Sequence, residues 1–275
     1  MVSRNGTVFQ RLLDLIRVVQ YGKLYGKLSI VFKPWSSGNL KKHIGYMYFL
    51  VDVINKIIFG WSPKCGCSHI KTIYWFLQTN NIVNSIHTKL DINQLPDDIE
   101  NYTTIIIIRN PYETIVSGFL DKYRIKGQYR CLWTAPSLSF NQFVDKLIEK
   151  DWSIIDKHHF EPQTHAMFDK KITRSKIFKI YDIHHIDYEY IEQLYNKKIP
   201  EIVLNKKQGH ERHLRIKKQE YLETYIYDLH IDEYFEYNIH IKHFYNEEIK
   251  EKVFNFYRTD FTFFEENGIN YMLRQ

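Results

Sequence analysis

Apolar runs alternate with turn residues along most of the chain and predict the order of its strands and helices. Thr103–Ile108 holds only threonine and isoleucine, which is typical of a strand buried on both faces of a parallel sheet. Tyr46–Val51 and Ile57–Trp61 are apolar runs separated by a short polar segment, so they predict a hairpin or two adjacent strands. Ile177–Tyr181 predicts a further strand.

Helices are predicted between these strands by apolar stripes at helical spacing and by start signals. A stripe from Ile70 to Leu77 follows a glycine turn and ends at two asparagines. Capping boxes are predicted at Asn110–Glu113, with Pro111 as the first helical residue, and at Ser139–Gln142. Asn246 caps a predicted last helix. The alternation predicts one α/β domain with a mostly parallel central sheet flanked by helices.

This domain is predicted to span residues 44–275. Residues 7–21 carry apolar positions at helical spacing, and residues 22–43 are rich in glycine, serine and lysine. Residues 1–43 are therefore predicted to form an N-terminal helix and a connecting arm.

Composition narrows the class of protein without naming a function. The chain has 275 residues, of which 44% are hydrophobic and 25% charged, so it is neither disordered nor a small disulfide scaffold. The formal net charge of +6 suits an anionic ligand and does not require nucleic acid as a partner.

Cysteine usage and the N-terminal sequence favour a cytoplasmic location. The three cysteines, Cys65, Cys67 and Cys131, do not form the pattern of a disulfide framework, which fits a reducing compartment. Residues 1–6 lack the apolar stretch of a signal peptide, and no run of 18 apolar residues predicts a membrane span.

The first candidate site is the glycine turn Pro63–His69 between a predicted strand and a predicted helix. Such a turn directs backbone N–H groups and the positive end of a helix dipole toward one place, which favours an anion. Lys64 adds a positive charge and Ser68 a hydroxyl donor. The turn resembles a phosphate-binding loop but is not a Walker A motif, because Lys64 precedes Gly66.

The second candidate site is Arg109, which follows the buried strand Thr103–Ile108 at the edge where ligands bind in open α/β sheets. A nucleoside triphosphatase would place an aspartate here for Mg²⁺. Arginine instead indicates direct contact with an anion and no metal. Ser117 lies two turns into the following helix.

Together the two motifs resemble those of the sulfotransferases that use 3′-phosphoadenosine 5′-phosphosulfate (PAPS), with the Golgi carbohydrate sulfotransferases as the nearest group. The first matches their 5′-phosphosulfate loop and the second their 3′-phosphate motif, R-[DN]-P-[FY]-E-R-x-V-S. His159–Gln163 is similar to their H-[WF]-x-P-Q motif, and residues 246–261 are similar to their C-terminal helix and strand.

The resemblance implies a P-loop-like α/β fold and a role for each motif residue. The 5′-phosphosulfate would be held by Lys64, which also assists the leaving group, and by residues Cys65, Gly66, Cys67, Ser68 and His69. The 3′-phosphate would be held by Arg109 and Ser117. The reaction would transfer a sulfuryl group to a hydroxyl of an acceptor, a glycan by this resemblance, and leave adenosine 3′,5′-bisphosphate.

The general base is predicted to be His87, which lies 22 residues before Arg109. In a heparan-type branch of the family that the motifs resemble, a catalytic histidine lies at a similar distance before the arginine of the 3′-phosphate motif. A neutral imidazole at pH 7 suits this role, and Asp91 or Glu113 could orient it. His159 is the second candidate, whereas its neighbour His158 is interpreted as a solvated residue.

Other interpretations stay open at this point. Cys65, Cys67 and His69 could form half of a zinc site, but Cys131 is the only other cysteine and lies in a predicted loop. A nucleoside or small-molecule kinase and a non-catalytic basic anion-binding module are the alternative functions. The basic stretch 206–218 could close over the nucleotide, recruit an anionic acceptor or be a solvated loop. It could also bind nucleic acid, but no RNA- or DNA-binding motif accompanies it.

Overall fold

A computed structural model describes residues 48–82, 95–123, 137–165, 172–205, 225–231 and 239–271. Several sequence predictions lie outside these residues: the N-terminal helix and arm, His87, Cys131 and the basic stretch 206–218. The division at residue 43 also stays a prediction.

Four strands form one sheet in the order β1-β2-β3-β4. They are β1 Tyr48–Asp52, β2 Ile57–Trp61, β3 Thr103–Ile108 and β4 Ile177–Asp182. β1 and β2 form an antiparallel pair, whereas β2, β3 and β4 run parallel to one another. The predicted strands and the mostly parallel sheet are therefore confirmed.

Helices connect and flank these strands. They are α1 Cys67–Thr79, α2 Pro111–Lys122, α3 Phe140–Ile148, α4 Lys157–Phe160, α5 Tyr188–Tyr195, α6 Glu201–Leu204, α7 Glu247–Phe256 and α8 Arg258–Glu266. Within the described ranges, none of them is long and apolar enough to cross a membrane.

Apolar side chains cover both faces of the sheet, as the uninterrupted isoleucine run in β3 predicts. Ile105 and Ile107 pack with Ile73 of α1 on one face. Ile106 and Ile108 belong to the core on the opposite face. A third cluster lies among α2, α3 and α7, and its aromatic members include Phe119, Phe143, Phe160 and Phe244.

The start of α2 differs from the predicted capping box. Asn110 caps the helix as predicted, because its side-chain oxygen accepts a hydrogen bond from the N–H of Tyr112 at 3.0 Å. Glu113 does not return to the backbone and instead accepts a hydrogen bond from Arg109 Nε at 3.1 Å. A charge-assisted bond to a guanidinium is stronger than one to a backbone N–H. The capping box at Ser139 and Gln142 is confirmed.

The C-terminal part of the domain also differs from the prediction. Asn246 caps α7 as expected, but α7 is not the last helix, because α8 follows it. The strand expected around Asp260 is therefore wrong. Tyr257, Phe261 and Phe264 are buried and recur at helical spacing, so a helix places all three toward the core.

The parallel strands β2, β3 and β4 all end at the same edge of the sheet. The residues that follow their carboxyl ends are Ser62, Arg109 and Ile183. Ligands of open α/β sheets bind at this edge, and both candidate motifs begin there.

Candidate functional site

The turn between β2 and α1 has a backbone that bends twice through the left-handed region. Lys64 has φ 66° and Gly66 has φ 73°. At Gly66 a Cβ atom would lie 2.2 Å from Cδ1 of Ile183, the residue after β4, so glycine is needed both for the conformation and for this close approach. Left-handed conformations of residues other than glycine are uncommon, and Lys64 is one of five such residues in the described part of the chain.

α1 begins directly after Gly66 and presents its positive end to this turn. The carbonyl of Gly66 accepts hydrogen bonds from the N–H groups of His69 (2.9 Å) and Ile70 (3.0 Å). The N–H of Cys65 is bonded to the carbonyl of Ser62 at 3.2 Å. Two of the amides that the resemblance assigns to the donor, Cys65 and His69, therefore have partners inside the turn.

The side chains of the turn are largely covered. Ser68 is buried, and the His69 ring Nε2 lies 2.8 Å from the hydroxyl of Tyr188. Burial lowers the pKa of His69, so its ring is neutral at pH 7.

Arg109 connects the two motifs. One of its terminal nitrogens donates a hydrogen bond to the backbone carbonyl of Lys64 at 3.3 Å. Its Nε donates to the carboxylate of Glu113 at 3.1 Å, and the exposed His184 lies 3.2 Å from the same carboxylate. The two sequence motifs, 45 residues apart, thus meet at one edge of the sheet.

One face of α2 lies along the turn. Glu113, Ser117 and Asp121 recur every four residues and are half-buried, so they share this face. Glu113 pairs with Arg109 at one end, and Asp121 pairs with Lys64 at the other, with 3.2 Å between Lys64 Nζ and Asp121 Oδ2. Ser117 therefore lies between the two cationic residues.

The pair formed by Lys64 and Asp121 is largely removed from solvent. Their side chains are 11% and 15% exposed, and the Nζ of Lys122 lies 3.3 Å from the same carboxylate oxygen. Although burial acts to raise it, the pKa of Asp121 is held at about 2 by the ammonium groups of Lys64 and Lys122. Burial lowers the pKa of Lys64, while Asp121 acts to raise it.

The thiols of the turn are protonated at neutral pH. Burial raises the pKa of Cys65 to about 12, and its Sγ lies 3.0 Å from Ser62 Oγ and 2.9 Å from Gln163 Oε1. Burial also raises the pKa of Cys67. A thiolate is the form that binds zinc. In the described part of the chain, no group of three or more potential ligands is arranged to hold a metal ion.

The short helix α4, which carries His158 and His159, packs on α2. Phe160 of α4 packs so closely on α2 that a Cβ at Gly118 would lie 2.5 Å from its ring. His159 Nδ1 pairs with the carboxylate of Asp156, which orients the ring.

His158 is not the solvated residue that the sequence suggested. It is half-buried, and its pKa is lowered to about 4 by burial, by His159 and by the charges of Lys122 and Lys71. Lys122, whose charge acts on His158, also pairs with Asp121, the partner of Lys64.

The structure brings nearly all predicted site residues together. The residues at one edge of the sheet are Lys64, Cys65, Gly66, Cys67, Ser68, His69, Arg109 and Ser117. His87 lies outside the described residues. The sequence patterns did not identify Asp121 and Lys122 as residues of the site. The four-residue spacing from Glu113 through Ser117 to Asp121 was a signal that could have identified Asp121.

Comparison with known proteins assigns the family. A family model described as the sulfotransferase family matches residues 47–265, which is most of the chain. No curated protein and no solved structure matches it. The family match agrees with the observed α/β fold and identifies the chain as a sulfotransferase enzyme. The chain belongs to the sulfotransferase family.

Proposed function

We propose that this sulfotransferase transfers the sulfuryl group of PAPS to a hydroxyl group of a carbohydrate. The observation that carries the proposal is the contact between the two motifs, in which the Arg109 guanidinium reaches the carbonyl of Lys64. A donor with phosphate groups at both its 5′ and 3′ positions needs two separate cationic sites at a fixed separation.

The residues around the turn fit such a donor by charge and position. Lys64 and the start of α1 supply a cation and a helix dipole for the 5′-phosphosulfate. The amides of Gly66 to Ser68 would complete this site. Arg109 would hold the 3′-phosphate, and Ser117 would add a hydroxyl donor from the same face of α2.

The reaction needs positioning, stabilisation of the leaving group and removal of one proton. The acceptor oxygen forms a bond to sulfur, and the bond between sulfur and the bridging oxygen of the donor breaks. The electron pair of that bond leaves with adenosine 3′,5′-bisphosphate, whose negative charge Lys64 stabilises. The hydroxyl proton of the acceptor passes to a general base.

His87 stays the predicted base, and His159 is the candidate within the described residues. Asp156 holds Nδ1 of His159, so the other ring nitrogen can accept a proton. The half-buried His158 is neutral at pH 7 because its pKa is about 4. It is therefore suited to hydrogen bonding with a neutral acceptor.

The carbohydrate acceptor rests on the similarity of the motifs to those of the Golgi carbohydrate sulfotransferases. Acceptor pockets are built from loops, whose sequences carry no general motif. The absence of a metal requirement and the cytoplasmic location stay predictions.

Transfer of labelled sulfate from PAPS tests the proposal directly. Purified protein is incubated with labelled PAPS and panels of glycans, peptides and phenols, with and without EDTA. Label in a glycan that EDTA does not reduce supports the proposal. Transfer only to peptides or phenols contradicts the carbohydrate acceptor. The donor is tested separately by thermal unfolding of the protein with each nucleotide. A rise in melting temperature with ATP and Mg²⁺ but not with adenosine 3′,5′-bisphosphate contradicts PAPS as the donor.

A further inference from the structure

The side-chain amide of Gln163 joins the two motifs. Its Nε2 donates a hydrogen bond to the backbone carbonyl of Arg109 at 2.6 Å, and its Oε1 accepts one from the backbone N–H of Arg109 at 3.0 Å. The amide therefore pairs with Arg109 as a neighbouring strand would. The same Oε1 lies 2.9 Å from the thiol of Cys65, in the turn that follows β2.

Gln163 is itself fixed from behind by Asp260 of α8. The carboxylate of Asp260 accepts hydrogen bonds from the N–H groups of Gln163 and Thr164, both at 2.8 Å, and from the Thr164 hydroxyl at 2.6 Å. Gln163, Thr164 and Asp260 are 3%, 0% and 0% exposed. A buried hydrogen-bond network of this kind, with several polar groups satisfied, is rigid.

We propose that Gln163 is a positioning residue that fixes the Cys65 turn and Arg109 at one separation, and that Asp260 holds Gln163 in place. The inference rests on the proposed function, because it assigns the separation of the two motifs to the separation of the two phosphate groups of the donor. Gln163 itself need not touch the donor.

A fixed separation of the two sites should increase the affinity for a ligand that occupies both of them. When two sites are held at the right separation, a ligand that occupies both gains affinity over ligands that occupy one, since the second contact is intramolecular. Without the Gln163 amide each site keeps its own charged residues, but their separation is no longer fixed. The bisphosphate should then lose affinity, while ligands of a single site should bind nearly as before.

The test compares three nucleotides by calorimetry: adenosine 3′,5′-bisphosphate, adenosine 5′-phosphate and adenosine 3′-phosphate. The variant is Gln163→Met, which keeps the length of the side chain and removes the amide. Gln193→Met on the exposed surface of α5 is the matched control. We expect Q163M to lose about tenfold or more of the preference for the bisphosphate and to change each monophosphate affinity far less.

The outcomes separate this inference from the function on which it rests. If wild type binds no adenosine nucleotide, the proposed function fails and the inference with it. If wild type prefers the bisphosphate and Q163M keeps that preference, only the inference is overturned. Equal losses for all three nucleotides would mean a merely structural role, and that result also overturns it.

A second variant keeps the test decisive if Q163M does not fold. Asp260→Asn turns one acceptor oxygen into a donor, which opposes an N–H group that Asp260 now binds and loosens Gln163 without removing its amide. The same selective loss of bisphosphate preference is expected in D260N. An unchanged preference in a folded D260N contradicts the inference.

Discussion

The ammonium of Lys64 lies 3.2 Å from the carboxylate of Asp121, so the lysine of the first motif is held by the helix that follows the second. Both side chains are largely buried, and Lys122 contacts the same carboxylate. An anionic donor that binds Lys64 must therefore share this lysine with Asp121 or displace the carboxylate. This arrangement leads to the first two predictions.

Replacing Lys64 by alanine should lower the turnover number by about a hundredfold to a thousandfold, because the developing charge on the leaving group loses its stabilising cation. Steady-state sulfate transfer measures the effect. Lys56→Ala is a matched control, since Lys56 also has a positive φ (56°) and pairs with an aspartate, Asp98, at the opposite end of β2. Equal activities of K64A and wild type would contradict the role of Lys64 in the donor site.

Replacing Asp121 by asparagine should strengthen the binding of adenosine 3′,5′-bisphosphate by about tenfold, equivalent to 1.4 kcal/mol. The substitution removes a negative charge from the position beside Lys64 while keeping the size of the side chain. Calorimetry at low and high salt measures the gain, which should shrink as salt screens the charges. Weaker binding in D121N would mean that the carboxylate positions Lys64 for the donor.

Replacing Arg109 by alanine should reduce the affinity for adenosine 3′,5′-bisphosphate far more than that for adenosine 5′-phosphate. A charge-assisted hydrogen bond contributes about 1.5–3 kcal/mol, which exceeds tenfold in affinity. Arg174→Ala is the control, because Arg174 is an exposed arginine paired with Glu100. If R109A weakened both nucleotides equally, Arg109 would not recognise the 3′-phosphate.

Replacing the general base should slow sulfuryl transfer by about a hundredfold to ten-thousandfold and leave nucleotide affinity intact. The comparison is among His87→Ala, His159→Ala and the exposed control His185→Ala, by single-turnover kinetics. The wild-type rate should fall at acid pH as the imidazole protonates, and this dependence should vanish only in the variant that lacks the base. Unchanged rates in both H87A and H159A would mean that neither histidine is the general base and that a carboxylate has this role.

Asp260 should give the protein a pH-dependent stability of a definite sign. Burial raises its pKa from 3.8 to about 6, so between these values the folded state binds more protons than the unfolded state. The contribution of Asp260 to the free energy of unfolding therefore falls as the pH rises from about 4 to about 6.

The size of this effect follows from about 1.4 kcal/mol for each pKa unit, which gives up to about 3 kcal/mol in total. It is measured as the difference in unfolding free energy between wild type and Asp260→Asn, by urea unfolding at pH 4 to 7. As the pH rises over that range, the unfolding free energy of wild type should fall relative to that of D260N. Parallel pH curves for the two proteins would contradict the raised pKa.

Local sequence signals predicted the regular elements wherever several of them agreed. The isoleucine run of β3 admits little other than a strand covered on both faces, and Asn110 with Pro111 begins α2 where expected. Prediction was wrong where a local pattern did not show which partner a side chain binds or which residues meet the core. Glu113 had the spacing of a capping box but binds Arg109, and residues 258–266 form a helix because Tyr257, Phe261 and Phe264 meet the core.

The sequence by itself determined where the two candidate donor motifs lie, after two strands of a parallel sheet. A glycine turn before a helix and an arginine after a buried strand are local patterns, and parallel strands end at the same edge. Only the tertiary structure decided which side chains neutralise and position those motifs. Asp121, Gln163 and Asp260 act on residues 57, 54 and 97 positions away in the chain, and such contacts depend on how the helices pack on the sheet.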